Sequence, residues 1–384
     1  ENGAQVAEVP IQEVTHPPQY RLKGVRPATM VKAQAYPLGS VPLPEEAPSK
    51  VLLKLLAAPN IASKAIVYRQ YDHQVQTNTV VPPGADAAVL RIKGSRRGLA
   101  MSTDGNGRLC YLDPFQGGAI AVAEACRNVS CAGATPIAIT DCLNFGNPER
   151  PEIYYQLEWC IRGMAKACRV LNAPVVSGNV SLYNETRGEA IYPTPVVGAL
   201  GLLEDVSRHG SAAFREGEVV VLLGASEVRG RAADLAGSEY LERVHGLVAG
   251  RPTINLERER RVQVLCRRAV SEGLVSAAHD CSDGGLAVAL AEACIAGGVG
   301  FDGDFKVAGR WDAALFGEAQ SRILVALPAG RLVELEQLAR ELDVPLARLG
   351  TARGPTLRLA ELVDVPLAEA DDAWRHGLER SLAG

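Results

Sequence analysis

Five short segments of the chain share one pattern, an apolar run followed by small residues and one carboxylate or amide. Apolar runs of this length predict buried strands or helices, so the polar residues fall at the edges of a packed core. Mg²⁺ and phosphate groups bind such carboxylates, amides and glycines. The pattern therefore predicts an α/β fold with a nucleotide-dependent function. The segments are residues 85–92, 123–128, 140–152, 175–186 and 278–285.

Composition narrows the possible partners. The formal net charge is −4 and Lys and Arg form no cluster, whereas nucleic acids and anionic membranes require a concentrated basic face. The most apolar segment, residues 286–300, contains Glu292 and is too short to span a bilayer. Nine cysteines form no CxxC pair, which is typical of buried free thiols in a reducing cytoplasm. We therefore expect a cytoplasmic protein that binds neither nucleic acid nor membrane.

Proline density divides the N-terminal region from the rest. Nine prolines lie in the first sixty residues, which predicts an extended Pro-rich linker over residues 18–70. Only residues 5–10 have the pattern of a strand, so we interpret residues 1–17 as the terminal strand of a domain that lies upstream. Because the chain starts at Glu1, we expect it to be part of a longer protein.

Two α/β domains are predicted after the linker, at residues 71–207 and 208–384. In the first, apolar residues spaced by three and four predict one core-facing helix surface: Tyr154, Leu157, Ile161, Met164 and Cys168. Strands are predicted at residues 88–92, 99–103, 137–140, 175–177, 196–203, 219–223 and 323–326. Helices are predicted at residues 117–131, 256–272, 284–296 and 332–342.

The first candidate site combines three oxygen-bearing residues. Glu124 and Asn128 are four residues apart and share a helix face, and Asp86 follows the turn at Gly84. Together they could bind Mg²⁺ beside a nucleotide phosphate. Alternatively, Glu124 pairs with Arg127 and Asn128 caps a turn.

A second candidate site follows two other predicted strands. Asp141 lies at the end of a short apolar strand, where α/β sheets bind ligands. Gly178, Asn179 and Ser181 supply a closely approachable backbone, an amide and a hydroxyl after the next strand, which suits phosphate and metal. A turn-stabilising Asp and a plain polar loop are the alternatives.

A third polar segment, residues 279–285, precedes an apolar helix. Backbone N–H groups and the helix dipole would face its acidic and hydroxyl side chains, which include Asp280 and Ser282. Helix capping by Ser282 or Asp283 is the alternative, and both readings can hold together.

In this order, the motifs resemble the formylglycinamidine ribonucleotide synthase family of purine biosynthesis, specifically the C-terminal half of its small, multi-subunit form. The match covers nearly the whole chain. The strings that resemble the family are YDHQVQTNTVVPPGADAAVLRI (71–92), YLDPFQGG (111–118), TDCLNFGNPE (140–149), VVSGNVSLYNET (175–186), YPTPVVGALGLLED (192–205), AGSEY (236–240), AHDCSDGG (278–285) and LFGEAQSR (315–322).

The resemblance implies an aminoimidazole ribonucleotide synthetase-like A domain (71–207) and B domain (208–384), which form a pseudo-dimer with an N-terminal half of the same enzyme. It implies an ATP-dependent C–N ligase that uses Mg²⁺ and phosphorylates the amide oxygen of formylglycinamide ribonucleotide. Ammonia from a glutaminase subunit then displaces phosphate. The implied protein partners are that glutaminase subunit and a small bridging subunit.

By the same resemblance, Asp141 and Gly178 contact ATP, Asn179 binds Mg²⁺ and Ser181 contacts substrate. A second, pseudo-symmetric nucleotide and Mg²⁺ site, which holds a nucleotide without turnover in large relatives, would use five further residues: Asp86, Glu124, Asn128, Asp280 and Ser282.

The chain also departs from the family's first half. TDGN (103–106), HQVQT (73–77) and GEAQ (317–320) stand where that half has catalytic histidines and a substrate loop. We therefore expect no catalytic residue here and no turnover by this chain alone. Two alternatives remain open: a complete sister enzyme, such as aminoimidazole ribonucleotide synthetase or a thiamine-phosphate or selenophosphate kinase, and a nucleotide-binding scaffold.

Overall fold

The computed structural model describes residues 2–17 and 19–383. The predicted strand at residues 5–10 is wrong: this segment has no regular structure and is followed by a short exposed helix, α1 (Ile11–Thr15). None of the described strands pairs with it. A strand without a neighbour has no partners for its backbone hydrogen bonds, so the segment stays irregular.

The predicted extended linker is partly helical. It contains α2 (Ala28–Gln34), α3 (Pro48–Leu56) and α4 (Ala65–Tyr68). Pro48 occupies the first turn of α3, a position where the missing N–H does no harm, so proline here marks a helix start. Four apolar side chains of α3 are fully buried in the core that also contains the C-terminal helices: Val51, Leu52, Leu55 and Leu56.

The next part of the chain forms a six-stranded sheet in the order β1-β2-β3-β8-β4-β5. β4 and β5 are parallel, and the other neighbouring strands are antiparallel. The elements are β1 (Thr79–Val81), β2 (Ala88–Arg91), β3 (Gly98–Asp104), α5 (Gly107–Leu112), α6 (Pro114–Cys131), β4 (Thr135–Asn144), α7 (Pro151–Leu171), β5 (Val175–Ser181), β6 (Glu185–Thr186), β7 (Glu189–Ala190) and β8 (Thr194–Leu203).

The buried face of α7 differs from the predicted one. Ile161 is 43% exposed, although Met164 and Cys168 are buried as expected. α7 packs closely on α6 at Gly163. A Cβ there would lie only 1.9 Å from the carbonyl oxygen of Phe115, so only glycine fits this contact. Small residues, not the largest apolar ones, therefore define this helix contact.

The C-terminal part is built on a seven-stranded sheet in the order β11-β14-β9-β15-β12-β16-β17. Its helices and strands are β9 (Val219–Leu223), β10 (Val228–Gly230), α8 (Glu239–His245), α9 (Leu256–Ser271), β11 (Ala277–Asp280), α10 (Gly285–Gly297), β12 (Phe301–Gly303), β13 (Val307–Gly309), α11 (Trp311–Phe316), β14 (Ile323–Leu327), α12 (Leu332–Glu341), β15 (Leu346–Ala352), β16 (Thr356–Leu359), β17 (Val363–Pro366) and α13 (Leu367–Leu382).

The two sheets meet through α6 and α9. Gln263 on α9 donates from Nε2 to the carbonyl oxygen of Ala123 on α6, at 3.0 Å. Cys131 at the end of α6 belongs to the apolar cluster of the second sheet. The C-terminal half of α6 thus lies at the junction of the two units, together with the end of β11.

The cysteines are free, as predicted, and all except the half-buried Cys142 are buried. Across residues 2–17 and 19–383, the helices include none with the length and apolar character needed to cross a membrane.

Candidate functional site

An acidic cluster lies at the junction between α6 and the loop after β11. The N-terminus of α6 is fixed by Asp113, which accepts a hydrogen bond from the N–H of Gln116 at 3.1 Å. Its later turns then carry Asn128 to the end of β3, where Nδ2 donates to Oδ2 of Asp104 at 3.0 Å. Asn128 does not cap a turn, which was the alternative. The cluster comprises Asp104, Glu124, Asn128, Asp280 and Asp283.

The carboxylates of this cluster perturb one another. Burial, with the nearby Asp283 and Asp280, raises the pKa of Asp104 to about 8. Burial and Asp104 raise the pKa of Glu124 well above its ordinary value. Burial raises the pKa of Asp280 to about 6, although Arg127 acts in the opposite direction. Asp104 and Glu124 therefore keep their protons to higher pH than ordinary carboxyl groups do, and a bound cation would favour the loss of those protons.

Arg127 is completely buried and links the cluster to the second sheet. Its Nη1 donates to both carboxylate oxygens of Glu259 at 3.0 Å, and its Nε donates to Asp280. Its Nη2 lies 3.6 Å from Oε2 of Glu124 and donates to Oε1 of Gln320 at 3.3 Å. The alternative role of Glu124, pairing with Arg127, is thus present in the structure.

Asp86 sits beside the cluster but already uses both of its oxygens. Oδ2 lies 2.9 Å from Nδ1 of His279, and Oδ1 accepts from the N–H of Asp280 at 2.9 Å. Nε2 of His279 lies 3.3 Å from Oε2 of Glu292. Although burial opposes it, Asp86 and Glu292 raise the pKa of His279 well above its ordinary value. Asp86 is therefore placed to orient the end of β11.

One carboxylate oxygen of the acidic cluster lacks a partner. Oδ2 of Asp280 is buried and has no hydrogen-bond partner, and a lone buried carboxylate oxygen is costly unless something binds it. In the described ranges 2–17 and 19–383, the His, Cys, Asp and Glu side chains form no group of three or more arranged to hold a metal. Carboxylate oxygens are ligands that Mg²⁺ prefers, and Mg²⁺ keeps several water or phosphate ligands of its own, so a site here would need ligands from a bound phosphate or from water to be complete.

A cavity of about 390 Å³ borders the cluster at Asn106 and Asp283. Nδ2 of Asn106 donates to Oδ1 of Asp283 at 3.1 Å. Lys64 lines the same cavity, and burial lowers its pKa while neighbouring carboxylates raise it. Tyr192 also lines it and stacks on Tyr111 with ring centroids 4.8 Å apart. The cavity thus combines a cation, amides and an aromatic face.

The loop before α10 is held from outside the helix. The N-cap is Gly284, with φ of 78° and no side-chain cap, so the capping role considered for Ser282 or Asp283 is wrong. Instead, Oε1 of Glu318 accepts from the N–H groups of Gly284 and Glu239, at 2.8 and 2.7 Å. Ser282 is half-buried in this loop.

The other predicted set lies on the parallel pair β4 and β5. Asp141 is directly opposite Gly178, and a Cβ at Gly178 would lie 2.4 Å from Oδ1 of Asp141. Asn179 is opposite Cys142, so strand alternation turns it to the other face from Asp141. Oγ of Ser181 lies 3.3 Å from Oδ1 of Asn184. This set is at the sheet edge, where β5 has no further strand in the described sheet.

Sequence reasoning missed several members of the site. Asp104 lies within TDGN, a string that stands where the family's first half has a histidine motif. Glu318 lies within GEAQ and has its pKa raised to about 8, first by burial and then by Asp283. Arg127 was considered only as a partner of Glu124. Their signal was a charged residue inside an otherwise apolar or small-residue string.

Comparison with known proteins agrees with this architecture. The family model of the AIR synthase related protein, N-terminal domain, matches residues 84–203, and that of the C-terminal domain matches residues 215–358. The chain belongs to the AIR synthase-related family.

Among individual proteins, the chain is similar to the phosphoribosylformylglycinamidine synthase subunit PurL of two bacteria. It is 50% identical to that of Moorella thermoacetica, over 98% of this chain and 52% of the relative. It is 52% identical to that of Thermomicrobium roseum, over 99% of this chain and 52% of the relative. The chain thus spans about half the length of these curated relatives.

The chain also resembles about half of a solved PurL structure. Thermotoga maritima PurL complexed with ATP aligns with a TM-score of 0.58 and 25% identity, covering 91% of this chain and 47% of that chain.

Proposed function

We propose that this chain is the C-terminal half of an ATP-dependent C–N ligase, phosphoribosylformylglycinamidine synthase. That enzyme converts formylglycinamide ribonucleotide, ATP and glutamine-derived ammonia to the amidine through an O-phosphorylated amide. Relatives of that name, about half of whose length aligns with this chain, support the assignment. The structural observation that carries it is the acidic cluster beside a cavity at the junction of the two sheets.

We assign this cluster to a nucleotide site that stabilises the fold without turnover. Glu124, Asn128 and Asp280 supply oxygens, Asp86 orients Asp280, and Ser282 lies in the adjoining loop. Bound Mg²⁺ would neutralise phosphate charge there. Lys64 and Tyr192 would contact the remainder of ADP or ATP in the 390 Å³ cavity.

The β4–β5 edge is the contribution of this half to the catalytic site. Asp141 and Gly178 would contact ATP, Asn179 would bind Mg²⁺ and Ser181 would contact substrate. Residues 175–180 of β5 are exposed, which leaves this edge open to a second body, namely the N-terminal half of the enzyme. Catalytic side chains would come from that half, so this chain alone should be inactive.

Two further partners follow from the proposal, a glutaminase subunit that delivers ammonia and a small bridging subunit. We also propose a cytoplasmic location. Nine free cysteines support it, because thiols persist in reducing compartments.

MgADP or MgATP should stabilise the 384-residue chain. A ligand that binds only the folded state raises the apparent free energy of unfolding by about 2.7 kcal/mol at about 100 times its Kd. Thermal and urea unfolding with and without MgADP measures this effect. Glu124→Ala should abolish the stabilisation because it removes a cluster oxygen, whereas Asn179→Ala should retain it because Asn179 lies at the β4–β5 edge.

Loss of the effect in both variants would contradict the separation of the two sites. Absence of any stabilisation in the parent chain would refute a nucleotide site owned by this half. Catalytic assays with a separately produced N-terminal half would still test the assignment of the β4–β5 edge to the catalytic site.

The first sheet should mediate self-association when the N-terminal half is absent. Met101, Ile137 and Val196 are 36–40% exposed on its strands, and an apolar surface of this kind is typical of an interface. We expect a dimer in sedimentation velocity at tens of micromolar. Met101→Glu/Val196→Glu should give a monomer, while Val333→Glu, at an exposed residue of α12, should not. A monomeric parent chain would contradict the prediction.

A further inference from the structure

A second cleft, of about 230 Å³, lies in the C-terminal part of the chain beside β10. It is formed by the segment after β9, the first turn of α9 and the loop before β14. Its lining contains four arginines, which come from three separate elements: Arg229, Arg231, Arg258 and Arg322. Convergence of this many cations on one small cleft requires compensation by negative charge.

Carboxylates compensate only two of these arginines. Arg229 pairs with Glu227 at 2.6 Å, and Arg231 pairs with Asp234 at 2.9 Å. Arg258 and Arg322 form no ion pair with a carboxylate among the described residues. The cleft therefore retains excess positive charge.

The guanidinium groups of Arg322 and Arg258 differ in their hydrogen bonds. Arg322 is 8% exposed and donates from Nε and Nη2 to the carbonyl oxygens of Ala319 and Gly317, at 2.8 and 2.7 Å. These bonds fix its plane. Nε of Arg258 is buried and has no hydrogen-bond partner. Burial, followed by the nearby Arg231 and Arg322, lowers the pKa of Arg258, yet arginine remains charged at neutral pH.

We propose that this cleft binds a phosphate group, either free or carried by a small phosphate monoester. Guanidinium forks match the geometry of phosphate oxygens and form charge-assisted hydrogen bonds with them. Ser226 adds a hydroxyl to the lining. A nucleotide does not fit well, since pockets for larger ligands occupy about 300–1,000 Å³. The cleft is separated from the acidic cluster by Gln320, which accepts a hydrogen bond from Arg127.

Isothermal titration calorimetry of the 384-residue chain with inorganic phosphate and with ribose 5-phosphate tests this proposal. The parent should bind one equivalent of at least one of them. Arg258→Gln should weaken binding by about tenfold or more, the effect of losing one charge-assisted hydrogen bond. Arg260→Gln is the matched control, because Arg260 is on the same helix but pairs with Glu257. Its affinity should equal that of the parent.

Tighter binding of ribose 5-phosphate would identify a phosphate ester as the ligand, and equal binding would identify the free anion. No saturable binding at millimolar concentrations overturns the proposal, as does unchanged binding by a folded Arg258→Gln variant. Lys64→Gln guards against binding in the 390 Å³ cavity: if Lys64→Gln removes phosphate binding and Arg258→Gln does not, the assignment of the cleft is wrong.

Discussion

Replacing Arg127 with methionine should lower the free energy of unfolding by about 3–5 kcal/mol, the usual effect of removing one partner from a buried ion pair. Arg127 has no exposed surface, and its side chain contacts Glu259, Asp280 and Glu124. Without the guanidinium, three carboxylates at the junction of the two sheets would face one another. Urea unfolding at neutral pH measures the loss.

The pH dependence of this defect separates charge from packing. If uncompensated carboxylates cause it, the loss should shrink at acidic pH, where they take up protons. Arg127→Met/Glu259→Gln should recover part of the stability because one buried charge is removed with its partner. A constant defect across pH would instead indicate a packing role.

Arg268→Met provides the control for this prediction. Arg268 pairs with Glu272 at 2.8 Å on the exposed side of α9. Exposed pairs of this kind contribute about 0–1 kcal/mol. A loss in Arg127→Met no larger than that in Arg268→Met would contradict the proposed importance of the buried network.

The stability of the chain without ligand should depend strongly on pH. Without ligand, the chain should lose stability between about pH 4 and pH 8, because Asp104 and Glu318 titrate near 8 when folded and near their ordinary values when unfolded. The folded state then binds more protons than the unfolded state across this window. The free energy of unfolding must fall as pH rises through it. Asp280, with a pKa of about 6, adds to the slope at its lower end.

Asp104→Asn should flatten this profile. The amide cannot ionise, so the variant should be more stable than the parent at pH 8 by on the order of 1–2 kcal/mol. The same variant should lose most of its stabilisation by MgADP, because its amide has no proton to give up and cannot become a carboxylate when a cation binds. Urea unfolding from pH 5 to pH 8.5, with and without MgADP, measures both effects.

Asp371→Asn is a suitable control because Asp371 pairs with Arg375 on the half-exposed face of α13. It should keep the slope of the parent. A chain that is more stable at pH 8 than at pH 5 would contradict the reasoning, and so would an Asp104→Asn variant that is less stable than the parent at pH 8.

Sequence patterns predicted the helices and strands whose own apolar residues are spaced in a regular pattern. The apolar run of β9 was predicted with its observed bounds, residues 219–223, and α9 and α12 with one residue of difference at their ends. The predicted core-facing surface of α7 is partly wrong because the contact of α7 with α6 depends on glycine, and the spacing of apolar residues does not include glycine. The strand at residues 5–10 failed because strand formation requires a partner, which local sequence cannot supply.

For the candidate site, the sequence predicted which residues belong together but not how they are bonded. Motif order indicated that Glu124, Asn128 and Asp280 belong together, and the structure places them in one cluster. The bonds of Asp86 to His279 and of Asn128 to Asp104 could not be predicted. The first bond joins residues 193 positions apart in the chain, and the second joins α6 to the end of β3, so both depend on tertiary packing. Charges buried by docking are invisible until the docked surfaces are known.

The position of α3 has a consequence for how the molecule is assembled. α3 precedes the first sheet along the chain, yet it packs against β17 and α13, at the opposite end of the sequence. Oγ of Ser49 in α3 accepts a hydrogen bond from the N–H of Asp364 in β17, and just after α3 the N–H of Ser63 donates to the carbonyl oxygen of Trp374 in α13. In topological terms, the first sheet is an insertion within the body that holds the second. During synthesis, α3 leaves the ribosome more than three hundred residues before the strand and helix at the C-terminal end that it contacts. The part of α3 that packs against α13 must therefore stay uncovered until the end of this chain is made, and closure of this long loop is expected to be a late and slow step of folding.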